Sequence, residues 1–255
     1  VTGDKSLERG GHLFRLQAEL EAQSASWTRF VMTQEPDVER IDTAVARCRE
    51  ASCDVVLAIG GGSVLDTGKA VAALAKNPGS VLEYLEDAGR GAPRPLAQGA
   101  LPVVAMPTTC GSGSETTRNS VVRIPELAVK RSLRSDVLLP RIAIIDPELA
   151  QGAPLPVAAA AGLDALTHLL EGYVSRGAQP TTDALALRGL ALSSRALAEL
   201  AEPDREHGAA FDQMALASLW GGIVLANAGL GAVHGLVAPL GGYYEVAHGD
   251  ACACL

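Results

Sequence analysis

Asp164 and His168 stand four residues apart in AGLDALTHLLEGYVS, a stretch with helical character, so one helical face presents a carboxylate and an imidazole together. His234 and His248 follow in the glycine-rich, aromatic-bearing stretch GAVHGLVAPLGGYYEVAHGD. One carboxylate and three imidazoles suit Zn²⁺ or Fe²⁺, which take hard oxygen and borderline nitrogen donors. The chain has 5 histidines, and three of them belong to this constellation. Spacing alone leaves the competing reading open, in which Asp164 and His168 form a surface pair or a buried hydrogen bond on one helix.

Those four residues require elements that hold them. Up to about Leu149 the chain alternates short apolar β-rich runs (27–32, 54–60, 101–106, 141–146) with helical patterns such as VERIDTAVARCREA. Continuous apolar strands separated by helices indicate a parallel sheet covered on both faces, and 141–146 reads as its last buried strand. From Pro154 onward three Ala/Leu-rich segments carry helical spacing and strand signals vanish. The expected architecture is an α/β N-terminal Rossmann-like parallel-sheet domain, residues 1–150, followed by an all-helical domain, 151–255.

Two loops in the first domain could bind a ligand. Gly60-Gly61-Gly62-Ser63 follows a strand and opens a helix, where glycines allow close approach and the first helical amides lack partners. It is neither GxGxxG nor a P-loop, and a tight turn without a ligand fits it too. Pro107-Thr108-Thr109-Cys110-Gly111-Ser112-Gly113 follows the next strand, at the end where open α/β sheets bind ligands, although Ser, Thr and Gly are also ordinary turn residues. No GxSxG elbow is present, which excludes the usual serine-hydrolase arrangement.

Composition narrows the partners. The chain has 255 residues, 48% hydrophobic and 20% charged, with a net charge of -8. That balance argues against nucleic acid or an anionic membrane as partner. No uninterrupted apolar run approaches the roughly 20 residues of a membrane span. The 5 cysteines form no CxxC pair, which points to a reducing compartment, the cytoplasm by default.

Taken in order, GGGSVLDTGK, PTTCGSGSETT, GLDALTHLLEGYVS and GAVHGLVAPLGGYYEVAHG resemble the iron-containing (group III) alcohol dehydrogenase family over essentially the whole chain. The resemblance implies a dehydroquinate synthase-like two-domain architecture. It also implies hydride transfer between a small primary alcohol or aldehyde and NAD or NADP. Asp164, His168, His234 and His248 fall on the family's ligands for Fe²⁺, with Zn²⁺ the alternative. Gly61, Gly62, Ser63 and Asp66 fall on its pyrophosphate loop, Thr108 and Thr109 on a second nucleotide loop. Thr117, Lys130 and Leu149 fall on further cofactor contacts, and Asp4 lies near the acidic ribose contact. Homodimers or larger homo-oligomers are implied as well. Glycerol dehydrogenase- or dehydroquinate synthase-like chemistry on the same fold and a nucleotide-binding pseudoenzyme are the rival readings.

Three departures stand out. A histidine of many relatives, often given a proton-relay role, is replaced by Ala238 in Ala238-Pro239-Leu240-Gly241, so the catalytic proton carrier is unassigned. Gln34-Glu35-Pro36 replaces an Asn-Pro loop. Relatives extend further at both ends, so the helical domain is expected to be incomplete at its C-terminus.

Overall fold

The computed structural model describes residues 1–4, 6–89, 91–202, 207–244 and 246–255. Its contacts divide the chain into two units: 1–106, 118–127 and 131–144 form the first, and 107–117, 128–130 and 145–255 the second. The segments 107–117 and 128–130 therefore group with the helices that follow them in the chain.

The first unit is an α/β layer. In chain order its elements are β1 (Thr2–Gly3), α1 (Ser6–Arg9), α2 (His12–Ala22), β2 (Val31–Met32), α3 (Val38–Glu50), β3 (Val56–Gly60), α4 (Gly62–Lys76), β4 (Val103–Pro107), β5 (Asn119–Ile124), β6 (Val129–Arg134) and β7 (Ile142–Ala143), although the last residue of β4 and the first two of β6 group with the second unit. The main sheet has the order β2-β1-β3-β4-β7, and the pairs β1–β2, β1–β3 and β4–β7 run parallel. Strand β3, VLAIG, is apolar on both faces and almost wholly buried, as a central parallel strand must be. Helix α3 starts where the Asp37 side chain accepts the Arg40 amide at 2.8 Å, and it buries Ile41, Ala44, Val45 and Cys48 along one stripe. Helix α4 lies so close to β3 that a Cβ on Gly68 would stand 2.6 Å from the Ala58 methyl. Buried Lys69 pairs with Asp66 Oδ1 at 3.0 Å.

Two expectations need correction here. The run 141–146 forms only the two-residue β7, and both of its residues are exposed. Prolines at 140 and 147 bracket it and it occupies the sheet edge, so it pairs on one side only. The separate β5–β6 sheet was not foreseen, although β5 buries Ser120, Val122 and Ile124 in strict alternation.

The second unit is helical, with α5 (Glu148–Gln151), α6 (Leu155–Tyr173), α7 (Pro180–Leu200), α8 (Gly208–Ala228), α9 (Ala232–Tyr243) and α10 (His248–Cys254). Pro156 sits in the first turn of α6 and Pro180 opens α7, where a missing N–H costs nothing. One core joins Ala158 and Ala165 of α6 to Ala196 and Leu200 of α7 and to Phe211 and Met214 of α8, and a second gathers around Leu169, Ala186 and Val224. Aromatics are few, so small side chains bring the backbones close: a methyl on Gly113, which has φ 59°, would fall on the backbone of Gly222 in α8. Helix α8 is long and apolar enough to cross a membrane, but half of that stretch is buried within the fold.

Candidate metal centre

Helix α6 buries Asp164 and His168 on one face, as their spacing requires, and a third residue of that face, Glu171, is buried with them. Helix α9 supplies His234 two residues after its first, and α10 begins with His248. The imidazole Nε2 atoms of His168, His234 and His248 lie 3.7, 3.4 and 3.6 Å from a single atom, Asp164 Oδ1. The rings of His168 and His234 stack with centroids 4.6 Å apart and planes at 17°. Three of these residues are buried, and His248 keeps a side-chain exposure of 44%.

Glu171 is the site residue that the sequence reading missed. Its Oε2 lies 2.6 Å from His234 Nδ1, and its Oε1 accepts the Val233 amide at 2.6 Å. One carboxylate thus caps the N-terminus of α9, where the helix dipole favours negative charge, and orients the imidazole that α9 carries. The available signal was the spacing 164, 168, 171, which keeps all three on one helical face.

The arrangement demands a positive charge at its centre. Asp164 Oδ1 is buried and accepts no hydrogen bond. In a neutral His234 whose Nδ1–H points at Glu171, Nε2 carries a lone pair facing that oxygen. Lone pairs 3.4 Å apart in a buried site repel unless a proton or a cation lies between them. Donors around a tetrahedral ion with bonds of about 2.1 Å are spaced by about 3.4 Å, which matches the separations observed. Burial works to raise the Asp164 carboxyl, but the three imidazoles outweigh it and hold the group well below the usual carboxylate range. Burial likewise opposes charge on His234, and the carboxylates of Asp164 and Glu171 overcome it, so this imidazole is raised. Burial pushes His168 down. The donors therefore fit a divalent cation.

Comparison with known proteins agrees with the geometry. The family profile described as iron-containing alcohol dehydrogenase matches residues 1–147, and that described as Fe-containing alcohol dehydrogenase family, C-terminal, matches 158–255. The chain belongs to the iron-containing alcohol dehydrogenase family. It is 42% identical over 221 residues to long-chain-alcohol dehydrogenase 1 of Geobacillus thermodenitrificans, covering 87% of this chain and 54% of the relative. Among solved structures it is similar to the archaeal halo-thermophilic Red Sea brine pool alcohol dehydrogenase ADH/D1 (TM-score 0.92, 28% identity, 99% of this chain and 64% of that one). It is also similar to sulfoacetaldehyde reductase from Bifidobacterium kashiwanohense in complex with NAD⁺ (TM-score 0.86, 32% identity, 98% and 65%). The chain thus spans between 54% and 65% of the length of these three proteins.

The positions that family resemblance assigned to the cofactor fall in both units. In the first, Gly61 caps α4 through its backbone, with Gly62 and Ser63 in the opening turn. Asp4 is exposed and follows β1, the strand beside β3, so it and the glycine turn leave the carboxyl ends of neighbouring parallel strands. Asp66 is engaged structurally: its Oδ2 accepts the Val121 amide at 2.8 Å and its backbone carbonyl accepts the Ser120 hydroxyl. In the second unit, Thr108 and Thr117 are buried, Thr109 is half-buried, and Leu149 lies in α5. The Lys130 ammonium lies beside Gly241 of α9. Ala238 is exposed one turn beyond His234, on the same side of α9.

Proposed function

We propose that this chain carries the site of a metal-dependent oxidoreductase that moves a hydride between a small primary alcohol, or its aldehyde, and NAD(P). Asp164, His168, His234 and His248 would hold the ion, iron in the leading reading and zinc in the alternative. The observation that carries the proposal is the convergence of three imidazole Nε2 atoms on one buried carboxylate oxygen that accepts no hydrogen bond. A divalent cation supplies Lewis acidity to an alcohol or carbonyl oxygen, and a nicotinamide supplies the hydride acceptor.

The chain's own residues do the rest. Asp164 contributes the negative charge that makes the site selective for a cation, and Glu171 fixes the tautomer and angle of His234. His248, exposed to 44%, marks the side from which a small alcohol reaches the centre. Ala238 has no exchangeable proton, so the alcohol proton leaves through water or another group. Gly61, Gly62 and Ser63 offer helix-opening amides to a pyrophosphate, and Asp4 offers a carboxylate to ribose hydroxyls, which favours NAD over NADP. Thr108, Thr109, Asp66, Thr117, Lys130 and Leu149 complete the proposed cofactor contacts. A cytoplasmic location and assembly into homo-oligomers belong to the same reading.

The test is metal analysis of anaerobically purified protein together with NADH formation from a panel of small primary alcohols, before and after chelation. Stoichiometric iron or zinc with chelator-sensitive NADH formation is the expected result. Metal without turnover would point to an unusual substrate or to an incomplete chain. Failure to take up iron or zinc on reconstitution would remove the four-residue site.

A further inference from the structure

Helix α10 carries a second donor toward the same point. His248 and Cys252 are four residues apart on it, so both project from one face. Cys252 is buried, packed with Val237 of α9 and Ala251 in a small apolar cluster. That packing directs Sγ inward, to 3.8 Å from His234 Nε2. One donor atom each from Asp164, His234, His248 and Cys252 all lie within 4.8 Å of one another. The carboxylate oxygen at the centre of this group is buried and accepts no hydrogen bond. For an ion bonded to sulfur at about 2.3 Å and to nitrogen at about 2.1 Å, tetrahedral geometry puts the two donors about 3.6 Å apart. The observed 3.8 Å is close to that separation.

We propose that Cys252 is a ligand of the cation at this centre, giving it an oxygen, nitrogen and sulfur donor set that prefers zinc-type ions to Fe²⁺. The inference rests on the reading that the centre holds a cation. Five side chains then face a point where a tetrahedral ion takes four, so His168 and Cys252 compete for one position. A hard donor set leaves the choice to metal supply, whereas a thiolate favours softer, later ions. Coordination exchanges the S–H bond for a sulfur–metal bond and releases the proton to solvent. His168 is stacked on His234, and the Gly111 backbone lies against its ring.

Cobalt(II) titration of the metal-free chain tests the proposal, because thiolate ligation gives an intense near-ultraviolet sulfur-to-cobalt charge-transfer band in addition to the visible d–d bands. The wild-type protein should show both. Cys252→Ser should keep the d–d bands, lose the charge-transfer band and bind Zn²⁺ at least about tenfold more weakly, with Fe²⁺ affinity little changed. Cys254→Ser, which alters the exposed thiol two residues on, should behave as wild type. The d–d bands without the charge-transfer band in wild-type protein would overturn the role of Cys252 and leave the cation site standing. Absence of both bands in wild-type protein would overturn the cation site and the sulfur ligand together.

Discussion

The turn between β3 and α4 and the centre built on α6, α9 and α10 are two ways of making a charged site. In the proposed reading the turn works by absence: Gly61 and Gly62 carry no side chains, so backbone amides at a helix start would be left to a ligand. The centre works by accumulation, with charged and polarisable side chains from residues 164 to 248 converging on one oxygen. In the turn the donors belong to the peptide and cannot be deleted, only crowded. In the centre every donor is a side chain, so single substitutions remove the chemistry and leave the helices standing.

The sharpest break of that contrast is Asp164→Asn. It removes the charge that all three imidazoles face, so retained iron or zinc should fall by more than about 100-fold and alcohol-dependent NADH formation with it. Binding of NAD, which in this reading depends on the turn, should change little. Metal analysis and a fluorescence titration with NADH separate the two. Full metal retention in the variant would mean that the imidazoles alone define the site.

Glu171→Gln asks whether the second carboxylate belongs to the centre or only to helix α9. The amide keeps an oxygen for the Val233 N–H but gives up the charge beside His234 Nδ1. Metal affinity should fall by about 10- to 100-fold, and thermal stability by about 1 kcal/mol through the weakened cap. Loss of stability with unchanged metal affinity would reduce Glu171 to a helix cap.

The turn yields to bulk placed behind it. Gly68→Ala puts a methyl 2.6 Å from that of Ala58, forcing α4 away from β3, and should destabilise the protein by about 1–3 kcal/mol. Nucleotide affinity should weaken with it while metal content stays at wild-type level. Metal loss in this variant would show that the two regions are coupled.

How far each region could be read in advance follows from the same contrast. The turn is local: β3, three glycines and α4 occupy one unbroken segment, and strand-to-helix punctuation there is visible in the letters alone. Asp164 and His168 were equally legible because helical periodicity fixes their relation. The placement of His234 and His248 against them depends on how α9 and α10 pack, which periodicity does not encode, so family resemblance carried that step. Glu171 went unread because an acidic residue on a helix is usually a solvated one, and only its burial under α9 distinguishes it. Likewise β7 reads as a buried strand from RIAIID, yet its edge position leaves it exposed.

The smallest effect concerns a thiol in neither region. Cys110 follows β4 and is pushed up from 9.0 to about 12, first by burial and then by the buried carboxylate of Glu115. The folded state therefore holds a proton that the unfolded chain releases. Its contribution to stability is complete below pH 9 and declines as pH rises toward 12. The slope is at most about 1.4 kcal/mol per pH unit for one group. Cys110→Ala should cost about 1 kcal/mol at pH 7 from lost packing and flatten the alkaline limb of a stability–pH curve measured by urea unfolding. Cys48, raised to about 11 first by burial, keeps part of that limb, so the flattening should be partial. A curve that falls as steeply in the variant as in the wild type would place the alkaline sensitivity with Cys48 instead.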